Sequence, residues 1–373
     1  MIKNFSTQNL REVFAEENKY ENFRNLASNL VRGNAIYELD DNGNERTVSK
    51  TDANRAIRKV FMEVCGLTED DLNSKKKRLR AEELHKHEIF EIIEEDLEFR
   101  INEGFTTNEW FEQFVEYKSH ALGDANAFIP PTDKKYLIVG DVSGDHHDIT
   151  MQQFAEGKEF MIECKNHAVK IGKDIDLIIL GRYDYTKMVD KVAEAFIMHI
   201  QNMVFTKVYA ASDEIPVSAP LKITGELNAD LKAEFDELIE NVEIANDSAV
   251  VIMGTKTALK RLNNLTDVKW IADSQKESIA NLGRLGSYEG TTLMEIPQRL
   301  KIGSFDKLIP NDTLLVMPIT NDKFCKFYDE GEIFIHEITD KAALKDDFQT
   351  YEVQRAYGCK VILGQYFGRW DKE

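Results

Sequence analysis

The sequence predicts an α+β fold, on three observations. The first third carries apolar residues at helical spacing in a heavily charged background, the texture turns strand-like at Phe128, and helices and strands alternate beyond a long helical pattern that opens at Asp184. Of the 373 residues, 42% are hydrophobic and 30% charged, which supports a sizeable core and argues against global disorder. The 66 acidic and 47 basic side chains leave a net charge of -19. That balance disfavours tight, sequence-independent DNA binding, which needs basic patches to displace counterions, but does not exclude a protein that encloses nucleic acid. Cys65, Cys164, Cys325 and Cys359 are scattered without CxxC spacing, so a reduced, cytosolic chain is the expectation. "MIKNFSTQNLREVF" lacks an apolar signal core, and no apolar run approaches the roughly 20 residues that span a bilayer. The expectation is a soluble, non-secreted protein without a membrane segment.

The elements follow in order. In "STQNLREVF", Ser6 is the predicted N-cap of a helix with Leu10, Val13 and Phe14 on one face. "AIYELDDNGNERTVS" predicts a hairpin turning at Asn42-Gly43; its brief likeness to a calcium-binding loop fails where Glu45 replaces the required glycine. "TDANRAIRKVFMEVCG" places Ile57, Val60, Phe61 and Val64 at helical spacing and stops at Gly66. The basic run Lys75 to Arg80 opens a further helix, as a solvated start or a subunit contact rather than a phosphate site. His85 and His87 in that helix do not share a face. "TTNEWFEQFVEYKSHALG" reads as one helix, capped by Thr106 with Glu109 and closed at Gly123, with Trp110, Phe111, Phe114 and Val115 as its apolar stripe.

Beyond Phe128, strands are predicted at Tyr136 to Val139, Phe160 to Cys164 and Ala168 to Ile171. "GDVSGDHHDIT" lies between the first two and reads as the polar tip of an extended hairpin, with Gly140 and Gly144 permitting its turns. In "DYTKMVDKVAEAFIMHIQNMVFTKVYAA", Val189, Val192, Phe196, Ile200 and Met203 follow at spacings of 3, 4, 4 and 3 behind the N-cap Asp184. A helix running to about Ala210 would span about 27 residues, or roughly 40 Å, which suits a strut. His199 beside the stripe reads as packing. Further on, "LNADLKAEFDELIENVEIA" is an amphipathic helix, "AVVIMG" a buried strand and "TKTALKRLNNL" a short helix. "GSYEGTTLMEIP" and "TLLVMPI" are strands, "FCKFYDEGEIFIHEI" a hairpin turning at Asp329 to Gly331, and "DDFQTYEVQRAYGCKVILGQYFGRW" a strand-rich ending.

No motif carries chemistry. "AVVIMGTKTAL" has the order of a phosphate-binding loop, but Thr255 precedes Lys256 and Val250 stands where a second glycine is needed, so the backbone amides lack the freedom to wrap a phosphate. His146 and His147 are adjacent, and on an extended strand they point to opposite faces. Asp145 with His147, or His146 with Asp148, share a face but offer one ion only two ligands. No HExxH motif and no nucleophile elbow appears. The sequence points to no enzyme, no catalytic or metal residues and no cofactor.

The order of elements resembles a major capsid protein of tailed bacteriophages, with the Hong Kong 97-like fold. The residues that carry the resemblance are an extended hairpin ending near "NHAVKIGKDIDLIILGR", the long helix from "DYTKMVDKVAEAF", then "GTKTALKRL", "NLGRLGSYEGTTLMEIPQRL", "DTLLVMPITNDKFCKFYDEGE" and a terminal strand in "TYEVQRAYGCKVILGQYFGRW". The likeness spans roughly residues 125 to 373. It implies a helical N-terminal arm over 1–128, which some members carry as a removable scaffolding segment. It further implies an extended loop (the E-loop) with flanking strands over 129–180 and a peripheral domain with a spine helix over 181–219. An axial domain over 220–340 and a return to the peripheral domain over 341–373 complete the set.

The resemblance implies a structural protein that assembles with itself into hexamers and pentamers of an icosahedral shell. Such a shell encloses double-stranded DNA without sequence-specific contacts, with portal and scaffolding or decoration proteins as further partners. The location is the virion, and the host cytoplasm during assembly. Asp145, His146, His147 and Asp148 become the candidate inter-subunit contact, one that gains charge as pH falls toward about 6.5. Val189, Val192, Phe196, Ile200 and Met203 become the core stripe of the spine helix. Two alternatives stay open: an encapsulin-like nanocompartment shell around protein cargo, and a metal-dependent hydrolase using the Asp/His stretch.

Overall fold

A computed structural model describes residues 5–15, 19–32, 36–39, 45–106, 108–120, 127–128, 160–172, 176–180, 184–265, 279–281, 283–301, 304–337, 350–362 and 364–372. The chain opens with α1 (Gln8–Val13), capped by Thr7, whose side chain accepts the Leu10 amide. The predicted cap, Ser6, turns instead to Glu91, which accepts its amide at 2.7 Å and its hydroxyl at 2.5 Å. α2 (Lys19–Arg32) leads into β1 (Ile36–Leu39) and β2 (Glu45–Val48), an antiparallel pair with Leu39 opposite Glu45. The predicted turn at Asn42-Gly43 lies outside the described residues. α3 (Lys50–Val64) starts at Ser49, which accepts the Asp52 amide at 3.2 Å.

α4 (Lys75–Thr106) is two helical stretches joined at His85, where φ is −109° and ψ is 17°. The predicted helix from Thr106 to Gly123 is a correction: α5 (Glu109–Phe114) is one short helix, capped by Asn108 rather than Thr106, and β3 (Val115–His120) follows directly. Trp110, Phe111 and Phe114 are buried from that short helix alone, and β-branched Val115 takes the extended backbone it favours. β4 (Ala127–Phe128) pairs antiparallel with β5 (Phe160–Met161), and β6 (Lys165–Gly172) covers the predicted strand at Ala168 to Ile171. The predicted strand Tyr136 to Val139 lies outside the described residues.

After α6 (Asp176–Ile179) comes α7 (Tyr185–Glu214), 30 residues or about 45 Å long. Then follow β7 (Lys222–Thr224), α8 (Lys232–Asn246), β8 (Val250–Gly254), α9 (Lys256–Lys260), β9 (Ser287–Tyr288), β10 (Thr291–Glu295) and β11 (Thr313–Pro318). The chain continues through β12 (Cys325–Glu337), β13 (Thr350–Val361) and β14 (Gly368–Asp371). The predicted hairpin over 324–338 is a second correction, because β12 is one strand of 13 residues. Gly331 sits inside it at φ +75°, so the "DEG" turn signal is spent on a local kink that only glycine accepts cheaply, and the chain does not reverse.

Two compact units result. The first comprises 1–107, 165–199 and 330–356; the second comprises 108–164, 200–329 and 357–373. In the first, Phe5, Phe14, Tyr20, Phe23, Phe61 and Tyr185 form a buried aromatic cluster, with ring centroids 4.8 Å apart for Phe61 and Tyr185 and 5.1 Å for Phe5 and Tyr20. In the second, a six-stranded sheet takes the order β7-β14-β11-β8-β10-β9. β8 is buried along its whole length, as its unbroken apolar run requires. α8 lays Phe235, Leu238, Ile239 and Val242 into the same core as Trp370, whose indole N–H donates to the Gly225 carbonyl at 2.9 Å. β12 and β13 are the central strands of a four-stranded sheet, in the order β3-β12-β13-β6. The architecture is α+β.

Candidate functional site

The long helix α7 is the best-defined candidate. Its start is fixed by Asp184, whose Oδ1 accepts the Thr186 amide at 3.1 Å and hydroxyl at 2.6 Å. Val189, Val192, Phe196 and Ile200 are buried, while Met203 is half-buried and the stripe passes to Val204, Phe205, Val208 and Tyr209. That drift is what a straight helix of 3.6 residues per turn does to a repeat near 3.5. In the first unit Val189 and Val192 border a small apolar cavity of about 30 Å³, with Phe90, Leu97 and Tyr351 among its walls. Its lining offers water no polar partner. In the second unit the Trp110 ring meets Phe205 edge-on at 4.7 Å. His199 is exposed beside the stripe, with its ring 4.7 Å from that of His167.

The candidate contact residues Asp145, His146, His147 and Asp148 lie outside the described residues. Among the described residues, no group of three or more His, Cys, Asp or Glu side chains is placed to hold a metal ion. Nor is any helix among them long and apolar enough to cross a membrane. Near Lys256 the phosphate-loop geometry is missing. Thr255 Oγ1 accepts the Ala258 amide as the N-cap of α9 and donates to Asn311 Oδ1 at 2.9 Å, so its hydroxyl is committed to structure. A Cβ on Gly254 would lie 2.6 Å from Leu314 Cδ2, so this glycine admits a close-packed strand, not a ligand. In the basic run, Lys77 pairs with Asp71, and the buried Arg78 donates to the Leu72 carbonyl. Lys75, Lys76 and Arg80 remain exposed on the first turns of α4.

Sequence reasoning missed the buried charges. Lys326, on β12, is buried and pairs with Glu116 and with Asp322 at 2.6 Å. Asp329 is buried three residues on and accepts the Tyr117 hydroxyl at 3.0 Å. In the first unit Asp96 is buried against Arg100 at 3.2 Å and accepts the Tyr185 hydroxyl at 3.1 Å. Burial pushes the Asp96 carboxyl up even against the pull of Arg100. Cys325 and Cys359 bring their sulfurs within 3.3 Å on neighbouring strands. Their hydrogen bond, with burial, holds the Cys325 thiol well above its usual range, which keeps it from acting as a thiolate nucleophile. These groups hold elements together.

Over residues 22–371 the chain matches the family described as "SPbeta prophage-derived putative capsid protein YonB". Comparison with curated protein sequences finds no match. Among solved structures, the chain is similar to a virus-like particle from Pyrococcus furiosus, at 12% identity and a TM-score of 0.43, covering 76% of this chain and 100% of that one. It is also similar to the capsid of a native GTA particle, at 10% identity and a TM-score of 0.47, covering 70% and 88%. The holo-SrpI encapsulin complex from Synechococcus elongatus is a third, at 10% identity and a TM-score of 0.40, covering 70% and 86%.

Proposed function

The chain belongs to the YonB family of prophage-derived capsid proteins, and from that premise we propose that it is the major shell subunit of a tailed phage or prophage, with the Hong Kong 97-like fold. In this reading it assembles into hexamers and pentamers of an icosahedral shell around packaged double-stranded DNA. The family match across residues 22–371 carries the proposal. Several features of the chain agree with it. The 30-residue α7 serves as the spine helix, with Val189, Val192, Phe196, Ile200 and Met203 as its stripe. The six-stranded sheet with α8 and α9 corresponds to the axial domain expected over 220–340, and β14, from the segment expected to return to the peripheral domain, joins that sheet. β4 and β5, paired antiparallel, flank the extended loop in sequence, and residues 145–148 within it touch the neighbouring subunit. A net charge of -19 suits a container that must let its genome go. Portal and scaffolding or decoration proteins are the further partners, and the shell forms in the host cytoplasm.

Electron microscopy of the protein, expressed alone and with its genomic neighbours, tests the reading. Closed shells are expected, and deletion of Val142 to Asp148 should leave the subunit folded by circular dichroism while shells fail or become fragile. A small monodisperse oligomer under every salt, crowding and co-expression condition would count against the capsid reading. Intact, equally stable shells from the deletion would remove residues 145–148 from the contact. Shells filled with one protein species and no nucleic acid would favour a nanocompartment. Stoichiometric zinc or iron lost on His146→Ala would revive the hydrolase.

A further inference from the structure

The first stretch of α4, from Lys75 to the break at His85, buries one side and presents the other. Arg78, Ala81 and Glu82 are buried, which fixes the inward side. Lys76, Arg80 and Leu84 follow at spacings of four on the outward side, so they form one ridge along the helix. All three are exposed, and Leu84, at 76%, ends the ridge with an uncovered apolar side chain. Glu83, beside the ridge, is drawn to Lys86 at 3.4 Å, which leaves the ridge cationic.

α8 carries the counterpart. Its Phe235, Leu238, Ile239 and Val242 face the core of the second unit. On the opposite side Glu237, Glu240 and Ile244 share a face at spacings of three and four, and all are exposed, Ile244 at 67%. Lys232, at the start of α8, is held by Asp236 at 3.8 Å and by Glu289, so the face stays anionic. We propose that the Lys76–Arg80–Leu84 ridge of one copy of this chain docks along the Glu237–Glu240–Ile244 face of a second copy. The two helices run parallel, with Leu84 against Ile244, Arg80 against Glu240 and Lys76 against Glu237.

Spacing and charge choose this occupant. On each helix the apolar residue lies four positions beyond the nearer charge, about 6 Å along the axis. Lys76 lies about 12 Å from Leu84 and Glu237 about 10.5 Å from Ile244, a mismatch that long side chains absorb. A chain of net charge -19 repels its own copies at a distance, so contact between copies calls for local cationic surface. Such a ridge alone would also suit a phosphate backbone, but the leucine at its end gains from an apolar partner and not from phosphate. The exposure of Leu84 and of Ile244 shows that neither is covered within its own chain. Two different surfaces of one chain make a head-to-tail contact, which generates a ring when its rotation closes. The opposed charges set the register and speed encounter more than they add affinity. The inference rests on the shell-subunit reading and names a surface by which neighbouring copies recognise each other.

The test compares assembly of wild type, Leu84→Asp, Ile244→Lys, Arg80→Glu, Glu240→Arg and the double reversal of Arg80 and Glu240, by sedimentation and electron microscopy. Every position is exposed, so each variant should keep the wild-type circular dichroism spectrum. Shell yield should fall at least about tenfold in Leu84→Asp and Ile244→Lys, as expected if an anchor residue is lost. Each single reversal should lower the yield and the double reversal restore it. A photo-crosslinking phenylalanine analogue at position 84 in assembled particles should give a species of twice the subunit mass under denaturing conditions, joined to a peptide bearing Ile244. Unchanged yield in Leu84→Asp, or crosslinks only to other protein segments, would overturn the contact while wild-type shells leave the capsid reading intact. Crosslinks to nucleic acid would overturn it too, and assign the ridge to phosphate. Wild type that never assembles would instead remove the capsid reading, and this inference with it.

Discussion

Glu94 shows how a single residue couples this fold to pH. It sits on α4, half-buried, and accepts the Ile335 amide at 2.7 Å. Burial, reinforced by Glu91 and Glu332, nevertheless lifts its pKa from 4.5 to about 7. A carboxyl whose folded pKa is raised favours the fold when protonated. That contribution is complete below about pH 4.5 and is lost as pH rises through about 7, so the folded chain carries a charged, poorly solvated Glu94 above neutrality. Glu94→Gln keeps an acceptor for the Ile335 amide and removes the charge. Its melting temperature should exceed that of the wild type more at about pH 8 than at about pH 5. Parallel melting curves across that range would show that Glu94 does not govern the dependence. Neither this carboxyl nor buried Asp96 and Lys326 was legible in the sequence, because a charged residue in a helix or strand reads as solvated until its neighbours are known.

Among elements, those with an unambiguous period were legible. The spacing of Val189, Val192, Phe196 and Ile200 marks α7, and the unbroken apolar run over 250–253 marks β8. Two elements were not. Trp110, Phe111, Phe114 and Val115 fit a helical stripe, but six residues of helix are enough to bury the first three, and the chain is then free to extend. The triplet Asp329-Glu330-Gly331 has turn chemistry, yet glycine's positive φ serves a kinked strand equally well. Phe196 tests the stripe most directly, being fully buried on α7. Phe196→Ala should cost about 3–5 kcal/mol in urea unfolding, the usual range for deleting a buried ring. An unchanged midpoint would mean that this face of α7 carries no core.

At the scale of the whole molecule, each compact unit is assembled from three separated stretches of chain, and α7, β12 and β13 each belong to both. The six-stranded sheet depends on its last strand in sequence, because β14 lies between β7 and β11 and brings Trp370 into the core. Removing residues 364–373 should therefore abolish a cooperative thermal transition, not merely lower its midpoint. Circular dichroism checks this, and a sharp native-like melt from the shortened protein would show that β14 is dispensable.

The position of β14 also bears on biosynthesis. A ribosome lays down residues in sequence, and domains generally fold as they emerge. Here β7 and β11 leave the exit tunnel with a vacant lane between them, and it stays vacant until residues 368–371 follow. The second unit thus lacks a closed core until almost the end of synthesis, and with it the fixed surfaces that a neighbour could recognise there. Where many copies are translated side by side on one message, half-made chains would then be poor substrates for polymerisation, and growth of the particle would draw on subunits whose translation has passed β14.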